Sequence, residues 1–167
     1  MSSSNSHIIL GIDPGTIITG YALISVEREL KAVDFGCIRP PKTRQLSQRY
    51  CVIFQSILLL LDRHQPREIA IETPFLRNNV QSTLKLGGAM ASVMIAAQEK
   101  KIPIYGYAPR EVKYGILGYG GASKEEIASV VSSLLHLGRQ SLYNDVTDAL
   151  AIAIYHSQVR GRGGEEL

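Results

Sequence analysis

The first third of the chain alternates apolar and polar positions in a pattern that predicts three β-strands followed by a long helix. Residues 7–13, 19–27 and 30–39 are rich in Ile, Val, Tyr and Phe, and a turn follows each of these segments. Their short connections predict an antiparallel meander. From about residue 43 to residue 64, apolar side chains recur at a spacing that covers one helical face, and Pro66 follows as a stop signal.

The rest of the chain alternates strands and helices. Residues 68–73, reading EIAIET, predict a fourth strand, and the preceding helix supplies the crossover that parallel pairing with the first strand requires. A helix over about 79–101 leads to a short strand over 103–107. Two more helices are predicted after Pro109, one starting near Ser123 and one near Asn144. This order predicts one α/β domain with a five-stranded mixed sheet and helices on both faces, which is compatible with a ribonuclease-H-like fold.

Composition narrows the class of protein without identifying it. The 167 residues are 45% hydrophobic and 20% charged, a balance typical of a globular domain with a sizeable core, and the net charge of +3 gives weak support for an anionic partner. Cys37 and Cys51 lie far apart without a CxxC spacing, so neither a disulfide framework nor a zinc site is predicted. No segment marks the chain for export, and we expect a cytoplasmic location. We expect residues 1–6 and about 160–167 to be disordered.

Two carboxylates lie at the ends of predicted apolar strands. Asp13 ends the first strand, and Glu72 lies near the end of the fourth. A carboxylate in apolar surroundings needs a cation, a dense set of hydrogen bonds or a raised pKa. Because Asp before Pro-Gly often starts a turn, Asp13 taken alone also fits a purely structural role. Glu is a poor turn former, so Glu72 taken alone leaves both interpretations open.

Two more carboxylates, Asp145 and Asp148, lie three residues apart at the start of a very apolar predicted helix. They fit a local capping device equally well, with Asp145 as the N-cap and Asp148 as its acidic N3 partner. However, Mg²⁺ and Mn²⁺ prefer carboxylate oxygens, and two such ions about 4 Å apart need three or four carboxylates from separate elements. Together, the four acidic residues therefore favour a two-metal site that hydrolyses phosphodiesters.

The chain contains four motifs in a specific order: GIDPGTIITGYA at residues 11–22, AIETPF at 70–75, YAPREVKYGILGYGGASKEE at 107–126 and NDVTDALAIAIYH at 144–156. In these motifs it resembles the RuvC family of bacterial Holliday-junction resolvases over nearly its whole length. The resemblance implies a homodimeric, metal-dependent crossover junction endodeoxyribonuclease that makes paired symmetric nicks in four-way DNA junctions during recombination and repair. It further implies two Mg²⁺ ions per subunit, with Mn²⁺ as a substitute, and the RuvA–RuvB branch-migration complex as a partner.

Matched position by position, the resemblance assigns roles to individual residues. The family's four metal-binding acidic positions match Asp13, Glu72, Asp145 and Asp148. Its two functional lysines match Lys113 and Lys124, and an aromatic residue directed at the junction's bases matches Phe75. With Arg77 from the same loop, the candidate DNA-binding residues are Phe75, Arg77, Lys113 and Lys124.

The residues alone leave alternatives to these DNA contacts. The two lysines flank a Gly-rich stretch, residues 115–121, that could follow a phosphate backbone or form a solvated loop. Phe75 could stack on an unpaired base or fold back onto the core, and Pro74 beside it could re-aim the ring. The small residues over 86–92 fit either a dimer contact or close packing on the chain's own sheet.

Three other functions compete with a junction resolvase. A non-cleaving junction-binding protein on the same fold would have no use for carboxylates aimed at phosphates. An actin-like ATPase shares the Asp-x-Gly loop but needs two related domains, which this chain is too short to contain. The third alternative is a related single-domain nuclease that acts on RNA, and only a comparison of substrates distinguishes it from a DNA resolvase.

Overall fold

The computed structural model describes residues 7–73, 79–138, 142–159 and 165–167. Among these residues, no helix is both long enough and apolar enough to cross a membrane. The described elements, in chain order, are β1 His7–Asp13, β2 Thr19–Val26, β3 Leu30–Ile38, α1 Leu46–His64, β4 Glu68–Glu72, α2 Val80–Glu99, β5 Ile104–Tyr107, α3 Pro109–Leu117, α4 Lys124–Leu134, α5 Asn144–Val159 and β6 Glu165–Glu166.

The strands form one mixed sheet in the order β3-β2-β1-β4-β5-β6. The β1–β2 and β2–β3 pairs are antiparallel, which confirms the predicted meander. The β1–β4 and β4–β5 pairs are parallel, which confirms that α1 forms a crossover. The register aligns Asp13 with Gly20 on β2, and Gly20 with Cys37 on β3. Because Ile12 pairs with Ile71, Asp13 and Glu72 follow side by side at the ends of neighbouring strands.

The sheet has six strands rather than the predicted five. Glu165 and Glu166 were expected in a disordered tail, but they pair antiparallel with Gly106 and Tyr105 of β5. The backbone N–H of Leu167 also donates to the carbonyl of Ile104. Without β6, strand β5 would be an edge strand with unpaired backbone groups, and β6 pairs with these groups. A strand of two residues is too short to produce an alternating pattern in the sequence. Residues 1–6 and 160–164 lie outside the described part of the chain.

A third helix after Pro109 was not predicted, because its glycines indicated a loop. The proline occupies the first turn of α3, where its missing N–H costs nothing. The side chain of Glu111 accepts a hydrogen bond from the backbone N–H of Ala108, and Gly118 ends the helix with a left-handed φ of 80°. The Gly-rich stretch is therefore not one flexible loop, since Gly115 lies inside α3 together with Lys113.

Each face of the sheet has its own apolar core. Leu10, Ile12 and Ile71 are buried with residues of α1 and α2. Ile9 and Ala70 are buried on the opposite face with residues of α3, α4 and α5, so helices cover both faces as predicted. Successive side chains of a strand point to opposite faces. The alternation therefore places both strand-end carboxylates, on β1 and β4, on the face that α5 covers.

Candidate active site

Two glycines allow α5 to lie directly on the backbone of the sheet. A Cβ atom at Gly11 of β1 would lie 2.1 Å from the carbonyl oxygen of Ala149. A Cβ atom at Gly20 of β2 would lie 2.0 Å from the carbonyl oxygen of Asp145. Only glycine permits such close approach. Gly20 pairs with Asp13 across β1 and β2. The close approach of Asp145 to Gly20 therefore holds the first turn of α5 against the end of β1.

The position of Asp145 excludes the simple capping explanation. Helix α5 begins at Asn144, so Asp145 lies inside the first turn and is not the N-cap residue. The neighbouring Val146 and Thr147 are buried, and the backbone N–H and hydroxyl of Thr147 both donate to the carbonyl of Tyr143. Asp145 and Asp148 are half-buried at this anchored end of the helix.

The turn after β1 is closed by groups other than the Asp13 carboxylate. The Thr19 hydroxyl donates to the carbonyl of Gly15 at 2.7 Å and accepts from the Gly15 N–H at 3.1 Å. Arg49 of α1 donates to the carbonyl of Thr16. These contacts fix the backbone immediately after Asp13, which supports a role for its side chain beyond starting a turn.

Asp13, Glu72 and Asp145 line one cleft of about 280 Å³. Its walls come from the turn after β1 and the start of α2, and comprise Pro14, Gly15, Thr16, Ile18, Ser82, Thr83 and Leu86. A larger cleft of about 760 Å³ lies between α2 and β5, but none of the predicted site residues lines it. The smaller cleft is therefore the candidate active site.

The acidic side chains interact strongly with one another. The pKa of Asp13 rises to about 8, mainly through burial, and then through the negative charges of Glu72, Asp148 and Asp145. Burial also raises the pKa of Asp148; Asp145 adds to this effect, whereas Lys124 and Lys113 oppose it. Asp13 thus lies within electrostatic reach of three other carboxylates and Lys124, an excess of negative charge that favours a bound cation.

The carboxylates do not form a closed ligand cage. Within the described residues, no group of three or more His, Cys, Asp or Glu side chains is already arranged to hold a metal ion. The donor set nevertheless suits a hard divalent cation, because it consists of carboxylate oxygens on three separate elements around an open cleft. A cation would have to draw the side chains together against their present repulsion.

The remaining predicted site residues lie beside this cleft or outside the described residues. Lys113 is half-buried on α3, and Lys124 is the exposed first residue of α4, directly after the N-cap Ser123. Their influence on Asp148 places both near the acidic cluster. Phe75 and Arg77, with Pro74, lie outside the described residues.

The sequence analysis did not identify a buried polar network that joins α5 to the sheet. His156 Nε2 lies 3.1 Å from Glu68 Oε2, and its Nδ1 lies 2.5 Å from the hydroxyl of Tyr107. All three residues are buried. Glu68 precedes Glu72 by four residues on the same face of β4, so this network fixes α5 against the strand that contributes a cleft carboxylate. The sequence did contain a signal for this network, because Glu68 begins the apolar segment EIAIE and His156 ends the apolar motif NDVTDALAIAIYH.

The raised pKa of Asp13 predicts how stability depends on pH when no divalent cation is present. The folded protein keeps the Asp13 proton up to pH about 8, whereas the unfolded chain loses it near 3.8. The contribution of Asp13 to the free energy of unfolding is therefore fully present below pH 3.8 and is lost as pH rises toward 8, with a limiting slope of about 1.4 kcal/mol per pH unit. Urea unfolding in EDTA at several pH values between 3.8 and 8 measures this dependence of stability on pH. Asp13→Asn should remove this component, and identical slopes for the two proteins would contradict it.

Comparison with known proteins agrees with this architecture. A family model described as "Crossover junction endodeoxyribonuclease RuvC" matches residues 9–156. The protein of that name from Protochlamydia amoebophila is 48% identical over 157 residues, covering 93% of this chain and 94% of that protein. T. thermophilus RuvC in complex with Holliday junction substrate has a TM-score of 0.90 at 29% identity, covering 96% of this chain and 99% of that one. The yeast mitochondrial Holliday junction resolvase Ydc2, at 15% identity and a TM-score of 0.66, shares the fold over 92% of this chain and 81% of its own.

The mixed sheet and its two helical layers define a ribonuclease-H-like fold. The chain belongs to the RuvC family of crossover junction endodeoxyribonucleases. The predictions of family, fold class and junction-resolving nuclease activity are confirmed at this level, whereas the roles of individual residues stay predictions.

Proposed function

We propose that this chain resolves four-way DNA junctions by metal-dependent hydrolysis of phosphodiester bonds in two symmetrically placed strands. The observation that supports it best is the cleft in which Asp13, Glu72 and Asp145 meet from β1, β4 and α5. Asp148 adds its charge to the same point. Phosphodiester hydrolysis requires mainly positioned cations and a positioned phosphate. The cleft offers carboxylate ligands for cations, and the charges of Lys113 and Lys124 act on Asp148 beside it.

We propose that the four carboxylates hold Mg²⁺, two ions per subunit, with Mn²⁺ able to substitute. When bound, the ions supply an activated water and stabilise the charge on the leaving oxygen. Bound cations would favour the ionised carboxylates of Asp13 and Asp148, because their positive charge would offset the burial and the neighbouring negative charges that raise the two pKa values. Metal affinity should therefore increase as pH approaches 8.

Lys113 and Lys124 act on the phosphate in this proposal. Both oppose the negative charge at Asp148, so both reach the region in which a phosphate would approach the carboxylates. A lysine ammonium binds phosphate as a point charge without fixed geometry. We propose that Lys124, at the exposed start of α4, contacts the phosphate that is cut, and that Lys113 contacts the same strand. Phe75 and Arg77 keep their proposed DNA contacts.

We propose that residues 1–167 act as one nuclease domain and that two copies form a dimer through α2. Val80, Leu84 and Ile95 are 69%, 69% and 60% exposed along one side of this helix, an apolar stripe that a second copy could cover. The small residues serve the chain's own packing in part, because a Cβ atom at Gly88 would meet Tyr50 of α1 at 2.3 Å. A two-fold dimer suits a two-fold junction. RuvA–RuvB is the proposed partner, and the cytoplasm the proposed location.

A comparison of substrates tests the proposed function. The chain should nick a labelled mobile four-way junction in Mg²⁺ at paired positions on opposite strands, and should leave linear duplex DNA and structured RNA largely uncut. EDTA should prevent cleavage while the junction still binds. Equal cleavage of linear duplex, or preference for RNA, would contradict the proposal, and a junction that is bound but never nicked would favour the non-cleaving binder.

A further inference from the structure

An arginine and a tyrosine form an exposed stack beside the candidate active site. The guanidinium carbon of Arg39 lies 5.1 Å from the centre of the Tyr143 ring. Arg39 is exposed, and Tyr143 is 68% exposed, so both groups face solvent. The backbone of Tyr143 is held in place, because its carbonyl accepts hydrogen bonds from the N–H and the hydroxyl of Thr147. The stack is therefore a positively charged, solvent-facing platform whose tyrosine has an anchored backbone.

This platform lines a second cleft that directly adjoins the first. The second cleft, of about 340 Å³, has Arg39 and Tyr143 at its rim and an otherwise largely apolar lining of Phe35, Gly36, Cys37, Leu142 and Val146. Asp145 lines the acidic cleft, and the next residue, Val146, lines this one. Only the first turn of α5 separates the two clefts.

The strand register independently places Arg39 near the acidic cleft. Asp13, Gly20 and Cys37 lie in one row across β1, β2 and β3, and all three face α5. The positive charge of Arg39 and the negative charges of Asp145 and Asp13 all act on the Cys37 thiol. The guanidinium therefore lies at the end of a short row that begins at the first cleft carboxylate.

We propose that Arg39 and Tyr143 bind the DNA nucleotide next to the phosphate that is cut. Arg39 holds the phosphate of this nucleotide, while the Tyr143 ring and the apolar lining accept its sugar or base. A cationic rim on an apolar cleft matches one nucleotide, which combines an anionic phosphate with flat apolar surfaces. This inference rests on the proposed function, since it assumes that DNA crosses the acidic cleft.

Junction binding measured against salt concentration tests the proposal. The probe is a fluorescein-labelled synthetic four-way junction in EDTA, titrated with the full chain at several KCl concentrations. Arg39→Gln should reduce the magnitude of the slope of log K against log[KCl] by about 0.9, and should weaken binding about eightfold at 0.1 M salt. Arg39→Lys should keep the slope. Tyr143→Leu should weaken binding about tenfold without changing the slope.

Arg28→Gln is the matched control, because this exposed arginine lies in the β2–β3 turn at the opposite end of the sheet. It should bind like the wild type. A wild-type slope and affinity for Arg39→Gln would overturn the inference, as would an equal loss in Arg28→Gln. Thermal unfolding checks each variant, and if Arg39→Gln does not fold, unchanged binding by Tyr143→Leu overturns the inference instead. Failure of the wild-type chain to bind the junction would count against the proposed function.

Discussion

Asp13→Asn should lower the rate of junction cleavage in Mg²⁺ by about 10³-fold or more while the junction still binds. An amide lacks the negative charge that a divalent cation requires, and Asp13 is the carboxylate on which the other three act together. Binding should be retained or strengthened, because the substitution removes a negative charge from a cleft that faces phosphates. Single-turnover cleavage and binding in EDTA separate the two effects.

The same substitution should stabilise the protein when no divalent cation is present. At pH 7.5 the wild-type protein has to keep Asp13 protonated or to tolerate a buried charge beside three other carboxylates, whereas Asn imposes neither cost. The limiting slope of about 1.4 kcal/mol per pH unit between pH 3.8 and 7.5 sets an upper limit of about 5 kcal/mol on the expected gain in the free energy of unfolding. Asp62→Asn makes the same chemical change at an exposed residue of α1 that pairs with Lys100, and should preserve cleavage. Cleavage by Asp13→Asn within tenfold of the wild-type rate would contradict the site assignment.

Gly20→Ala should have the second largest effect, although the residue has no side chain to contribute. The added methyl carbon would lie 2.0 Å from the carbonyl oxygen and 2.4 Å from the carbonyl carbon of Asp145, and backbone atoms cannot rotate away. The start of α5 must therefore move away from the sheet, taking Asp145 from its place beside Asp13. A displacement of about 1 Å should cost about 10²-fold in cleavage, and the overpacking about 1–3 kcal/mol in stability.

Cleavage, junction binding and urea unfolding should all be measured on Gly20→Ala. We expect binding in EDTA to fall far less than cleavage, because Lys113 on α3 and Lys124 on α4 stay in place, whereas Tyr143 moves with the start of α5. For the free energy of unfolding, the matched control is Gly121→Ala in the connection between α3 and α4, where the added methyl meets no atom within 4 Å and should be close to neutral. Wild-type cleavage by Gly20→Ala would mean that the approach of α5 to β2 does not position Asp145.

Part of the fold could be predicted because short-range patterns determine it. The apolar runs of β1 and β4, the short turns of the meander and the periodicity of α1 are all local, and each is confirmed. Helix α3 was missed because its glycines resemble a loop, while its stability depends on Pro109, Glu111 and Gly118 acting together. Strand β6 was missed because two glutamates have no strand pattern, and only the free edge of β5 makes them a strand.

For the candidate site, the sequence by itself determined which residues have carboxylates and that two of them end apolar strands. It also determined the family, through motifs whose order spans the chain. Only the tertiary structure decided that Asp145 lies inside α5, that Gly20 brings it beside Asp13, and that burial raises the pKa of Asp13 to about 8. The physical reason is that distance and burial depend on residues far apart in the chain. The Arg39–Tyr143 platform likewise exists only because β3 and α5 pack together.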